Sequence, residues 1–194
     1  MTNSFRTFVA IELTRDLRVS VIEHINHLRR EFPEVRASWT REENLHLTLK
    51  FLGEVPVGDI PKLSASVENA TREFQAFEFV VSGCGSFPAH GSPKVLWIGI
   101  TDHSDRLQRL HQHLEHECEQ AGFPQEARPF HPHLTIARLR SSRGARRLAQ
   151  LHKDRAFAQS TVPVREVLVM RSELSNAGSR YTTLSRHQLL RHKS

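Results

Sequence analysis

Two short segments constrain this chain more than any others: His46-Leu47-Thr48-Leu49-Lys50-Phe51-Leu52-Gly53 and His133-Leu134-Thr135-Ile136-Ala137-Arg138. Each reads as a strand with an apolar back, because side chains alternate faces with period two. His46 and Thr48 then share one face, with Lys50 beside them, while Leu47, Leu49 and Phe51 point into the core. In the second segment His133 and Thr135 share a face, and Leu134 and Ile136 take the other. Two rigid strands thus each offer an imidazole beside a hydroxyl.

The rest of the chain supplies further strands and helices. Residues 5–13 (FRTFVAIEL) are rich in Phe and β-branched residues and predict a strand. Thr14 reads as the cap of a helix in which Leu17, Val21, Ile25 and Leu28 recur at helical spacing, stopped by Phe32-Pro33. The strand within 39–51 is expected to close at Gly53. Asp59 at a cap and Pro61 just inside open a helix to about residue 74. Residues 77–81 and 95–100 predict strands joined by a long, turn-rich loop, GCGSFPAHGSP. A helix over 102–120 stops at Gly122. A basic helical stretch is expected at 143–151, then strands at 162–170 and 181–190, joined by the turn Ser175-Asn176-Ala177-Gly178.

Strands and helices mixed along the whole length argue an α/β or α+β class. Each half presents a long helix and then an H-L-T strand, which suggests a duplication with one motif per lobe. The 194 residues suit one domain, or two small lobes packed together, with a core that needs no staples.

Charge narrows the partners. The formal net charge of +6 favours an anionic ligand, since Lys and Arg attract phosphates at long range. Two cysteines, Cys84 and Cys118, make no disulfide framework and fit a reducing cytoplasm. No stretch approaches the ~20 apolar residues of a membrane span, and no signal peptide is evident. A soluble, cytoplasmic monomer is the expectation.

Two histidines and two threonines in one cleft would suit phosphodiester chemistry. One imidazole can take a proton from an attacking water, and the other can give one to the departing ribose oxygen. The hydroxyls can hold the non-bridging oxygens, where negative charge builds. The competing reading is chance: the chain has 13 His, and a lone His on a strand is more often structural. Two matching apolar strands, one per half, weigh against chance.

Residues 5–11, 44–53 and 130–138, together with Ser172-Glu173-Leu174, Gly178 and Tyr181, resemble the RNA 2′,3′-cyclic 3′-phosphodiesterases. This family lies within the 2H phosphoesterase superfamily, and its members were formerly called 2′-5′ RNA ligases. The resemblance implies an α+β, bilobal fold with pseudo-two-fold symmetry. Two antiparallel-rich sheets and flanking helices would surround a central cleft. It implies that His46 protonates the leaving 3′ oxygen and His133 activates water, with Thr48 and Thr135 holding the phosphate. No cofactor or metal is implied. The substrate would be an RNA with a 2′,3′-cyclic phosphate end, and the product a 2′-phosphate. The residue pattern alone does not separate acid from base, because the motifs are near copies. Alternatives are a cyclic-nucleotide phosphodiesterase, 2′-5′ ligation at the same site, and a nucleotide- or RNA-binding module without turnover.

Further candidates for substrate contact are Lys50, Arg128, Arg138, Trp39 and Tyr181. Alternation puts Arg138 on the face opposite His133, so it would need a bend to reach the site. Trp39, in a more polar setting than Trp97, is the first choice for stacking on a base, with Phe87 and Tyr181 behind it. Trp97 reads as core. His131 does not fit the motif and reads as a support or rim residue. The run His111 to Cys118 lacks the spacing of a metal site and reads as a solvated helix face. Arg138, Arg140, Arg143, Arg146 and Arg147 form a basic run suited to RNA backbone.

Overall fold

The computed structural model describes residues 3–88, 90–175 and 178–191, so Asn176 and Ala177 of the predicted C-terminal turn lie outside the described residues. Nine strands and four helices are present among them: β1 (Ser4–Glu12), α1 (Arg15–Glu31), β2 (Ala37–Trp39), β3 (His46–Pro56), α2 (Ile60–Thr71), β4 (Phe77–Phe87), β5 (Val95–Thr101), α3 (Arg106–Gln120), β6 (His133–Leu139), α4 (Ala145–Arg155), β7 (Ser160–Val164), β8 (Glu166–Ser175) and β9 (Gly178–Gln188).

The strands form two antiparallel sheets, ordered β3-β1-β8-β9 and β2-β6-β5-β4-β7. The fold is α+β, and the two sheets are related in plan. One half runs β1, helix, motif strand β3; the other runs β5, helix, motif strand β6. In each half the motif strand pairs directly with its first strand. The helices are exchanged between the sheets. Helix α3 packs on β3 and α2, while α1 packs on α4, which lies on β4. One hydrophobic cluster runs through both halves, from Val9 and Leu47 to Leu96 and Leu134.

Local signals explain most elements. Thr14 Oγ1 accepts from the Leu17 amide at 3.4 Å, the expected cap. Leu17, Val21, Ile25 and Leu28 are all buried on α1, with His24 among them. Asp59 occupies the cap of α2 without a side-chain hydrogen bond, so Pro61 is the stronger start signal there. Helix α3 begins later than expected because Asp102 caps it from outside, accepting from the Leu107 amide at 2.6 Å.

Three expectations fail. β3 does not close at Gly53 but continues to Pro56, with Gly53 at φ +67 in an irregularity opposite Thr7. β4 continues through the turn-rich segment to Phe87. The predicted strand over 162–170 is two strands in different sheets: β7 pairs with β4, and β8 pairs with β1 and β9. Arg165 and Glu166 interrupt the apolar run at the crossing, but one polar pair inside a strand-like segment does not say that its two sides join different sheets.

Candidate active site

The two motif strands belong to different sheets, yet β3 and β6 approach within 8 Å, Cα to Cα. Motif one begins where a 3-10 turn, Glu42–Asn44, hands the chain to β3 through extended Leu45. The Asn44 carbonyl thereby faces back, and His46 Nδ1 donates to it at 2.8 Å. Motif two repeats the arrangement: His133 Nδ1 donates to the His131 carbonyl at 2.7 Å. His131 is thus a support, acting through its backbone. In each ring the proton is placed on Nδ1 by its carbonyl partner, which leaves Nε2 for proton exchange. His46 Nε2 lies 3.0 Å from Thr48 Oγ1.

Each motif threonine is followed by a β-bulge at the same place. Ala10 lies opposite Thr48 and Val9 opposite Lys50, so β3 carries one extra residue. Trp97 lies opposite Thr135 and Leu96 opposite Ala137, so β6 carries one too. Two adjacent residues then face one on the partner strand, and the alternation shifts by one. Leu49 and Lys50 are both buried, and Phe51 swings out to 54% exposure. Ile136 and Ala137 are both buried, and Arg138 is exposed on the His133 face.

The bulges correct two readings and supply the bend that a third required. Phe51 is not core; it lies on the histidine face, 6.1 Å from Phe8. Lys50 is not on that face. It is 2% exposed, and its Nζ donates to Glu115 Oε2 at 2.6 Å and to the Pro124 carbonyl at 2.8 Å. Its ion pair is buried rather than at the rim, and it has no access to a ligand. Arg138 does reach the site, since the bulge is the bend it required.

Aromatic rings frame both imidazoles. Phe8 stacks on His46 at 4.8 Å, and Tyr181 meets His46 edge-on at 5.2 Å. Phe87 meets His133 edge-on at 5.3 Å. Trp97, read as core, instead lies opposite Thr135 on the site face, 6.5 Å from the His133 ring. Its indole lies over Gly85, where a Cβ would overlap the ring. Trp39 lies opposite Ala137, half-buried, with one side packed against the core. Arg128 is exposed and forks onto Glu126, Nε to Oε1 at 3.0 Å and a terminal nitrogen to Oε2 at 2.7 Å. It touches neither motif.

Burial sets the charge of the site. It lowers the pKa of His46 from 6.5 to about 4, opposed by the hydrogen bond to the Asn44 carbonyl. Burial lowers His133 as well, opposed by the His131 carbonyl and reinforced by the charge of Arg138. Without an anion beside them, both rings are neutral at neutral pH.

Among the described residues, one group could hold a metal: His24, Cys84 and His152, with ligand atoms within 4.8 Å of one another. It contains no motif residue. His24 Nε2 and His152 Nδ1 are hydrogen-bonded at 2.9 Å, and His152 Nε2 donates to the Trp97 carbonyl at 2.9 Å. The α3 run is not a wholly solvated face, because His111, Glu115 and Cys118 are buried. Arg143, Arg146 and Arg147 are exposed, the last two lining a pocket of about 290 Å³ with Ser92, Ser142 and Gly144.

The model of the 2′-5′ RNA ligase superfamily matches residues 17–176. The chain belongs to that superfamily. Among similar proteins are the RNA 2′,3′-cyclic phosphodiesterases of Thermotoga maritima and Methanothermobacter thermautotrophicus. The first is 35% identical over 92% of both chains, the second 31% identical over 92% of this chain and 96% of its own. A solved structure from Thermus thermophilus superposes with a TM-score of 0.79 at 28% identity, covering 97% of this chain and all of that one. LigT of E. coli, solved with 3′-AMP, gives a TM-score of 0.72 at 29% identity over 96% of this chain and 99% of that one.

Proposed function

We propose that this protein hydrolyses the 2′,3′-cyclic phosphate at an RNA end to a 2′-phosphate. The observation that carries the reading is the repeated dyad: two imidazoles, each fixed by the carbonyl two residues earlier, each with a threonine on its face. The relatives that bear the name RNA 2′,3′-cyclic phosphodiesterase over most of this length support the substrate class, as does the net charge of +6.

In this reading His133 Nε2 takes a proton from water as its oxygen attacks phosphorus. The bond from phosphorus to the 3′ oxygen breaks, and His46 Nε2 donates its proton to that oxygen. The products are a 3′-hydroxyl and a 2′-phosphate. His46 carries its proton only once the anionic phosphodiester sits beside it, which raises a pKa otherwise held at about 4. Phe8, stacked on the ring, favours the imidazolium that results. Arg138 disfavours a proton on His133, which suits the base. Thr48 and Thr135 bind the non-bridging oxygens. Cys84 and Cys118 are free thiols, in keeping with a reducing cytoplasm, and no described helix is long and apolar enough to cross a membrane.

The test is incubation, with EDTA, with a short RNA ending in a 2′,3′-cyclic phosphate. Clean conversion to a 2′-phosphate is expected, with a loss of about 10²- to 10⁴-fold in both His46→Ala and His133→Ala. Bound RNA without turnover by the unaltered protein would leave only a binding module.

A further inference from the structure

The chain enters motif one and motif two in different ways. The segment before motif one is tied by backbone to the strand of motif two: β2 pairs with β6, and Thr40 donates to the Ile136 carbonyl at 2.9 Å and, through Oγ1, to the Thr135 carbonyl at 2.8 Å. The segment before motif two, 121–132, contains no strand. Backbone bonds to the end of α3 reach as far as Phe123, and beyond it side chains hold the segment. Lys50, just past motif one, donates to the Pro124 carbonyl at 2.8 Å. Glu115 Oε2 accepts both from Lys50 at 2.6 Å and from the Glu126 amide at 3.1 Å. One turn earlier on α3, His111 stacks on Phe130 at 4.0 Å, with planes 9° apart. Phe130 is followed by His131, whose carbonyl orients His133.

We infer that the buried Lys50–Glu115 pair is a positioning device that sets His133 against His46 by pinning the 121–132 segment to the strand of motif one. The inference rests on the proposed two-histidine reaction. Stability alone does not explain the pair. A buried ion pair replaced by apolar residues of similar size is often neutral or stabilising. An apolar pair, however, could not satisfy the Pro124 carbonyl and the Glu126 amide. Those two bonds fix the path of the segment, and small misplacements of a reacting group are costly in rate.

The test compares Lys50→Met, Glu115→Gln and the double variant Lys50→Met/Glu115→Leu, in the full chain, by thermal unfolding and by kcat and KM on the cyclic-phosphate RNA. Each single change strands a buried charge or donor, so both Tm and kcat should fall. The double variant should recover most of the lost Tm, while kcat stays down about 10- to 100-fold and KM changes much less. Recovery of kcat together with Tm would reduce the pair to a structural role and overturn the inference. A second readout covers a double variant that does not fold. NMR titration of folded Glu115→Gln should move the His133 ring resonances and leave those of His46 in place. An unmoved His133 overturns the inference equally. That titration needs no turnover, so its outcome is separable from failure of the proposed reaction.

Discussion

His46 and His133 look alike in sequence, but their surroundings differ. His46 lies among Phe8, Tyr181 and, beyond Phe8, the exposed ring of Phe51. His133 has Arg138 at the position that Phe51 holds in the other strand, because both follow the bulge. Both walls are therefore aromatic, and the His133 wall carries the cation of Arg138 as well. The charge of Arg138 lowers the pKa of His133, so removing it raises that pKa. If His133 is the base, Arg138→Gln moves the acidic limb of the kcat/KM profile to higher pH. Loss of a charge-assisted contact to phosphate adds a fall in kcat/KM of about tenfold or more. A profile with the limb unmoved would remove Arg138 from the electrostatics of the base.

The elements are positioned by contacts the linear chain does not announce. Most helices were legible, since Thr14, Pro61 and Gly122 are local signals that act within a few residues. The bulges were not. Ile136-Ala137, two apolar neighbours after Thr135, is a visible break in alternation, but Leu49-Lys50 gives no such sign, because Lys is ordinarily solvated. Helices α1 and α4 meet through His24 and His152, 6% and 0% exposed. Burial first, and then the unfavourable proximity of His152, Arg155 and His27 to a second proton on the ring, hold His24 at about 4, well below the 6.5 of an exposed ring; burial lowers His152 too. A folded pKa below the unfolded one means the unfolded chain binds more protons in that window. The stability from these neutral rings is therefore complete above pH 6.5 and is lost as pH falls toward 4. Tm should drop across that range, and His24→Leu/His152→Leu should make the drop shallower. An identical slope in both proteins would show that the pair is not a source of the acid sensitivity.

Over the whole molecule, the exchange of helices between sheets makes each half depend on the other, and the motif strands β3 and β6 meet where the two sheets approach. Exposed charge extends from the second motif strand. Arg138 stands beside His133, Arg140 bonds Ser38 at 2.9 Å, and Arg143, Arg146 and Arg147 continue onto α4. This layout suits the backbone of a long RNA whose end lies at the motif histidines. Replacing Arg143, Arg146 and Arg147 by Glu should raise KM for an RNA oligomer and flatten its salt dependence by up to about three phosphate contacts. Turnover of a cyclic mononucleotide should be unchanged. Equal effects on both substrates would mean that the run does not touch RNA.

The amino-acid sequence by itself determined what is local: two strands with a histidine and a threonine on one face, the helix starts and stops, and a surplus of positive charge. Period and capping act over a few residues, so they can be read without a partner. Tertiary structure decided which residues join those histidines. A bulge is a relation between two strands, and it moved Lys50 into the core while bringing Phe51 and Arg138 to the site. The partners of Lys50 lie 65 and 74 residues away along the chain, and only the packing of α3 on β3 brings them together.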